Sequence, residues 1–313
     1  MGFEFTCYVM TQPLLASVEC PDAQGVHRMA YTCWGDPLAA HAVLCVHGLT
    51  RQGRDFDVLA QALVAQAAKA GRALRVICPD VVGRGRSDWL KPSTAYQIPQ
   101  YAADMVALLA QLHAQAPLLT LDWVGTSMGG LIGMVVAGTA ELPKPCPVRR
   151  LVLNDVGPAV SWASIERMKT YVGQTGRFDT LQQAADAMWA ISQGFGPHTP
   201  EAWLALSAPM VKTQADGSLT LHYDPAIGEP IRAMTLEAAQ AAEAVLWQIY
   251  DQISAQTLLL RGLDSDLLTV ETAQAMQERG PQAQLVAWPG VGHAPTLTQP
   301  DQVQTVVDFL LGP

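Results

Sequence analysis

Apolar positions along the chain alternate between two periods. Continuous apolar runs of strand length occur at Ala42–Val46, Arg75–Cys78, Leu121–Val124, Arg150–Asn154, Thr257–Gly262 and Gln284–Ala287. Such runs read as strands covered on both faces. Between them, apolar residues recur at helical spacing: Phe56, Leu59 and Leu63, then Tyr101, Met105, Leu108 and Leu112, and finally Val303, Val306 and Leu310. Each set forms one apolar helix stripe. Two β-like runs, Leu14–Val18 and Val26–Trp34, open the chain, with turn residues at Gly25 and Gly35-Asp36-Pro37. The alternation predicts an α/β domain, a mostly parallel doubly wound sheet with helices on both faces.

After Asp155-Val156-Gly157-Pro158 the pattern changes. From about 160 to 240 the period is helical, with stripes at Ile165, Met168, Val172 and at Leu181, Ala185, Met188, Ser192. Ala215-Asp216-Gly217-Ser218 reads as the turn of a small hairpin. Buried-strand patterning returns at Thr257. We expect residues 1–157 and 241–313 to form one α/β core and residues 158–240 an inserted, mainly helical cap.

Composition narrows the function classes. The 313 residues carry a net charge of −9, and only 15% of them are charged against 50% hydrophobic. That balance argues against long disorder and against a nucleic-acid partner, which needs clustered cations. None of the six cysteines forms a C-x-x-C pair, so buried free thiols in a reducing compartment are expected, with no zinc site. The N-terminal stretch has no basic residue before Arg28 and does not read as a signal peptide. Met1-Gly2-Phe3-Glu4-Phe5-Thr6 fits the loose myristoylation pattern, but no basic patch accompanies it. The expectation is a soluble cytoplasmic protein that acts on a small molecule, without metal or organic cofactor, as a monomer or homodimer.

Chemistry concentrates at Gly125-Thr126-Ser127-Met128-Gly129, between the fifth apolar strand and an apolar helix start. The motif alone arises by chance in about one chain in ten of this length. Its setting makes it specific: a strand, a Gly-x-Ser-x-Gly turn and a helix present the Ser127 hydroxyl on a tight, strained elbow. A serine nucleophile needs a base, and the base needs an orienting group. His293, in Gly290-Val291-Gly292-His293 after the last strand, is the expected base. Three aspartates could orient it: Asp264 and Asp266 after the strand ending at Gly262, and Asp155 after the earlier strand. Asp266 is the expected partner.

The order Ser127, Asp266, His293, together with His47-Gly48, the Gly83-Arg84-Gly85-Arg86-Ser87 loop and Gly292-His293, resembles the α/β-hydrolase superfamily. The likeness is to its capped bacterial esterases and carbon–carbon bond hydrolases. It covers nearly the whole chain and implies an eight-stranded sheet beneath the cap. By that resemblance, His47-Gly48 marks an oxyanion loop, and the backbone N–H groups of Leu49 and Met128 form the oxyanion hole. Relatives with Asp at the elbow are dehalogenases and epoxide hydrolases, and those with Cys are dienelactone hydrolases; Ser127 points away from both.

The activity so implied is hydrolysis of small to medium carboxylic esters through an acyl-enzyme. The alternatives are carbon–carbon bond cleavage in a ring-fission diketone and a catalytically silent small-molecule receptor. Arg51 and Arg54 follow the oxyanion loop and are candidates to grip a substrate carboxylate. Trp162 and Trp189 in the expected cap are candidates to line an apolar acyl pocket.

Overall fold

The computed structural model describes residues 12–312, so Met1–Thr6 and Cys7 lie outside the described residues. Strand β1 (Leu14–Asp22) pairs antiparallel with β2 (Gly25–Gly35) in full register, Cys20 facing His27. Then come β3 (His41–Val46), α1 (Asp57–Lys69), β4 (Arg75–Pro79), α2 (Ile98–Gln115), β5 (Thr120–Thr126), α3 (Met128–Gly138) and β6 (Val148–Asn154). The next segment contributes α4 (Trp162–Tyr171), α5 (Leu181–Ser192), α6 (Pro200–Ser207), β7 (Val211–Thr213), β8 (Leu219–Leu221) and α7 (Gly228–Ala233). The chain closes with α8 (Leu236–Asp251), β9 (Gln256–Gly262), α9 (Val270–Glu278), β10 (Gln284–Trp288) and α10 (Pro300–Leu311).

One 8-stranded sheet runs in the order β1-β2-β4-β3-β5-β6-β9-β10. It is parallel from β4 to β10, with the β1–β2 hairpin antiparallel at one edge. Both faces are covered because alternate side chains of a strand point to opposite sides. Val43, Cys45, Val76, Cys78, Val124 and Val152 pack with Leu59, Leu63, Val306 and Leu310 of α1 and α10. Their neighbours Leu44, Val46, Ile77, Trp123, Leu151 and Leu153 pack with Met105, Leu108, Ile132 and Tyr250 of α2, α3 and α8. This is why those strands read as unbroken apolar runs. Cys45 and Cys78 are buried free thiols, as their strand setting implies.

The segment from 158 to 235 builds a small core of its own from Ala184, Ala185, Met188, Trp203 and Met210, with Trp203 Nε1 donating to the Ala185 carbonyl at 2.8 Å. The hairpin expected around Asp216-Gly217 is present as antiparallel β7 and β8. Main-chain bonds tie this segment to loops of the sheet: Gly85 N–H to His222 O (2.9 Å), Asp224 N–H to Gly83 O (2.7 Å) and Gly292 N–H to Gly194 O (2.6 Å). Helix α8 runs continuously past residue 240, where the sequence pattern had put the return to the core. No helix among the described residues is long and apolar enough to cross a membrane.

Candidate active site

Three neighbouring strands, β5, β6 and β9, end at Thr126, Asn154 and Gly262, and residues just beyond these ends assemble the site together with His293 from the loop after β10. Ser127 has φ +52°, ψ −116°, a conformation L-residues rarely adopt and which costs on the order of 1–3 kcal/mol. The surroundings hold it there. Its N–H donates to Asn154 O at 3.0 Å, and its carbonyl accepts from Gly130 N–H at 2.8 Å. The elbow needs its glycines because helix α3 lies directly on the strands. A Cβ at Gly125 would sit 2.3 Å from Gly129 O, and one at Gly129 would sit 1.9 Å from Val46 O.

His293 Nε2 lies 2.9 Å from Ser127 Oγ, and its Nδ1 lies 2.7 Å from Asp155 Oδ2. The hydroxyl, imidazole and carboxylate form one continuous hydrogen-bonded row. Asp155 is fully buried, and His293 retains 15% side-chain exposure. Asp155 also accepts from Gly262 N–H at 3.0 Å on Oδ1 and from Ser265 Oγ at 2.6 Å on Oδ2. Donors on both oxygens fix this carboxylate in place, where it holds one imidazole tautomer.

The expectation for Asp266 is therefore corrected. Its carboxylate is 48% exposed and forms a two-pronged pair with Arg167, Nε–Oδ2 2.8 Å and Nη2–Oδ1 2.9 Å. Asp264 is exposed as well. The loop after β9 does serve the site, but through Gly262 N–H and the Ser265 hydroxyl. The reason is topological. Strand β6 lies between β5 and β9, so a side chain leaving its end already faces both the serine and the histidine loop. In the sequence the signal was Asp155 ending the apolar run Leu151–Asn154.

On the other side of Ser127 lies the His47-Gly48 loop; a Cβ at Gly48 would be 3.7 Å from Ser127 Cβ. His47 is fully buried, its Nε2 accepts from Val81 N–H at 2.9 Å, and its Nδ1–H donates to Gly48 O at 2.7 Å. Burial above all, with the Arg84 and Arg51 charges adding to it, pushes its pKa down to about 3. It is a neutral brace for the loop. Among the described residues, neither the Leu49 nor the Met128 N–H has an acceptor, so both amides are free to receive a ligand oxygen.

The other candidate residues have these partners. Arg51 is bound on two nitrogens by Asp55 (2.7 Å each), donates to Leu206 O at 3.3 Å and stacks over Phe195. Arg54 pairs with Asp57. A carboxylate a turn away on the same segment pairs with each guanidinium. Trp162 lies beneath the Lys169 ammonium, and Trp189 packs edge-on against Trp203 and His198. Sequence reasoning missed Asn154, whose amide donates to Thr126 Oγ1 (3.0 Å) and Pro295 O (2.8 Å), bracing serine strand and histidine loop together.

Among the described residues one group has metal-ligating atoms in proximity, Cys20, His27 and Asp104, within 4.8 Å of one another. Its chemistry does not suit a metal. Both His27 nitrogens already face carboxylates, Asp22 at 2.9 Å and Asp104 at 3.1 Å. Burial, with the Asp104 charge, pushes the Cys20 thiol up to about 12, away from the thiolate a metal needs.

Residues 43–305 match the profile of the alpha/beta hydrolase family. The chain belongs to that family. It is 46% identical to a 3-hydroxybutyrate-oligomer hydrolase of Cupriavidus necator, over 96% of this chain and 98% of that protein. It is 25% identical to lipase LipV of Mycobacterium tuberculosis, over 88% of this chain and 95% of that one. A crystal structure of an alpha/beta hydrolase from Novosphingobium aromaticivorans superposes with a TM-score of 0.78 at 32% identity, covering 97% of this chain and 100% of that chain. This alpha/beta hydrolase is thus an enzyme, with the architecture its elbow motif implied.

Proposed function

We propose that the chain hydrolyses carboxylic esters, and that its substrates are short oligoesters of a hydroxy acid of the 3-hydroxybutyrate type. The observation that carries the chemistry is the Ser127–His293–Asp155 row, at 2.9 and 2.7 Å. The substrate class rests on the 46% identity with the 3-hydroxybutyrate-oligomer hydrolase.

His293 Nε2 takes the Ser127 proton as Oγ attacks the ester carbonyl, and the carbonyl π pair moves onto oxygen. Asp155 stabilises the imidazolium so formed. The Leu49 and Met128 amides donate to the oxyanion; one such donor contributes about 3 kcal/mol to lowering the barrier. Collapse of the tetrahedral intermediate breaks the C–O bond, and His293 hands its proton to the departing alkoxide, here the hydroxyl end of the next unit. Water, deprotonated by His293, then attacks the acyl-Ser127 ester and releases the acid. Segment 158–240 acts as a cap that covers the bound acyl chain.

The test is hydrolysis of p-nitrophenyl butyrate and of a linear 3-hydroxybutyrate trimer, beside a dienoic ring-fission diketone. Both esters are expected to turn over, and Ser127→Ala is expected to abolish turnover. Cleavage of the diketone alone would point to carbon–carbon chemistry. A folded protein that turned over none of the three and resisted a fluorophosphonate label would be a receptor.

A further inference from the structure

Arg84 is fully buried in the Gly83–Ser87 loop, yet among the described residues no carboxylate pairs with it. Two carboxylates reach the loop without bonding the guanidinium: Asp224 accepts from the Tyr96 hydroxyl at 2.5 Å, under the ring that Arg84 covers, and Asp80 accepts from Arg86 N–H at 2.9 Å. A buried cation satisfied by neutral groups is costly, and such a group beside a catalytic cleft is a candidate for a role there. The guanidinium sits between two aromatic faces, 5.7 Å from the Tyr96 centroid and 5.1 Å from that of Tyr101. Nη1 donates to Val82 O (2.7 Å) and the Tyr101 hydroxyl (3.1 Å). The other two nitrogens reach the residues whose amides flank Ser127: Nε donates to Leu49 O at 2.8 Å, and Nη2 to Met128 Sδ at 3.5 Å.

The oxyanion turn is therefore tied through the Gly48 and Leu49 carbonyls. Gly48 O accepts from Arg51 N–H (3.1 Å) and from His47, and Leu49 O accepts from Arg84. The Leu49 N–H remains without an acceptor among the described residues. The positive charge of Arg84 also reaches this loop, where it helps hold His47 neutral.

We propose that Arg84 is a positioning residue for the oxyanion hole, holding Leu49 and Met128 with its fork while its charge, paired with no carboxylate among the described residues, lowers the energy of the oxyanion. The assignment rests on the ester-hydrolase reading above. An effect of this kind is strongest in the transition state and small in the ground state, so its loss lowers kcat and leaves KM nearly alone. The loop also carries the main-chain bonds of Gly83 and Gly85 to Asp224 and His222, so the same loop that orders the amides is anchored by segment 158–240.

The experiment compares wild type, Arg84→Met and Arg84→Lys on p-nitrophenyl butyrate, with a trifluoromethyl ketone as a mimic of the tetrahedral oxyanion. Arg84→Met should lower kcat by about 100-fold with KM within about threefold, in the range seen when one oxyanion donor is lost. Inhibitor affinity should fall in step with kcat. Arg84→Lys keeps the charge without the fork and should recover about tenfold of that loss. Should the Met variant fail to fold, Arg84→Lys carries the test, with kcat about tenfold below wild type at unchanged KM. An active wild type whose Arg84 variants keep full kcat, or lose only KM, would overturn this assignment alone. A wild type inactive on esters would remove the reading beneath it as well.

Discussion

The imidazole of His293 meets the carboxylate of Asp155 across 2.7 Å, although 138 residues separate them and Asp155 precedes the whole inserted segment. Asp155→Asn should lower kcat by about 1,000- to 10,000-fold, because an amide favours the wrong imidazole tautomer and cannot stabilise the imidazolium. Asp266→Asn should stay within about threefold of wild type, since it loses only an exposed ion pair worth about 0–1 kcal/mol. Steady-state kinetics of the two variants decide between the positions; the reverse ranking would refute the arrangement.

Helix α3 rests on the strand ends through Gly129, where an added Cβ would lie 1.9 Å from Val46 O. Backbone cannot yield as a flexible side chain can. Gly129→Ala should cost about 3 kcal/mol or more of stability, read as a shifted urea midpoint. An unchanged midpoint would mean that helix and strand are farther apart.

His27 couples stability to pH. It is buried between Asp22 and Asp104, with the Cys20 thiol beside them and Gln100 bonded to Asp104. Burial alone would lower its pKa, but the hydrogen bonds and charges of Asp104 and then Asp22 outweigh that and raise it. The folded value thus exceeds the unfolded value of about 6.5. The stabilisation is complete below that unfolded value and is lost as pH rises through the folded one. Urea unfolding across that alkaline-going range should show a decline that His27→Gln flattens. Parallel curves for the two proteins would exclude the coupling.

Arg51 fastens the loop after Gly48 to Leu206 O and Phe195, while neighbouring Gln52 donates to Pro209 O. Arg51→Ala should therefore speed amide exchange over residues 193–209 by about tenfold, as local opening loses about 1.4 kcal/mol of resistance. The KM ratio between matched acidic and neutral esters should stay within about twofold, since Asp55 already occupies the guanidinium. A large rise in KM for the acidic ester alone would instead place Arg51 on the substrate.

The strands, the helix stripes, the elbow serine and the histidine loop are all legible in the order of residues. Each depends on local period or on a tight turn that only certain residues allow, as with Gly125 and Gly129 around Ser127. The carboxylate was a different matter. Asp155, Asp264 and Asp266 all come after a buried strand, and nothing local separates them. Strand order put β6 between β5 and β9, so Asp155 was buried against His293 while Asp266 turned outward to Arg167. The same holds for Arg51 and Arg54 after the His47-Gly48 loop and for Arg84 in the Gly83–Ser87 loop: sequence shows the cations, and only packing decides which partner each one meets. Burial and long-range pairing are properties of the folded chain, and they assign a charged side chain its chemistry.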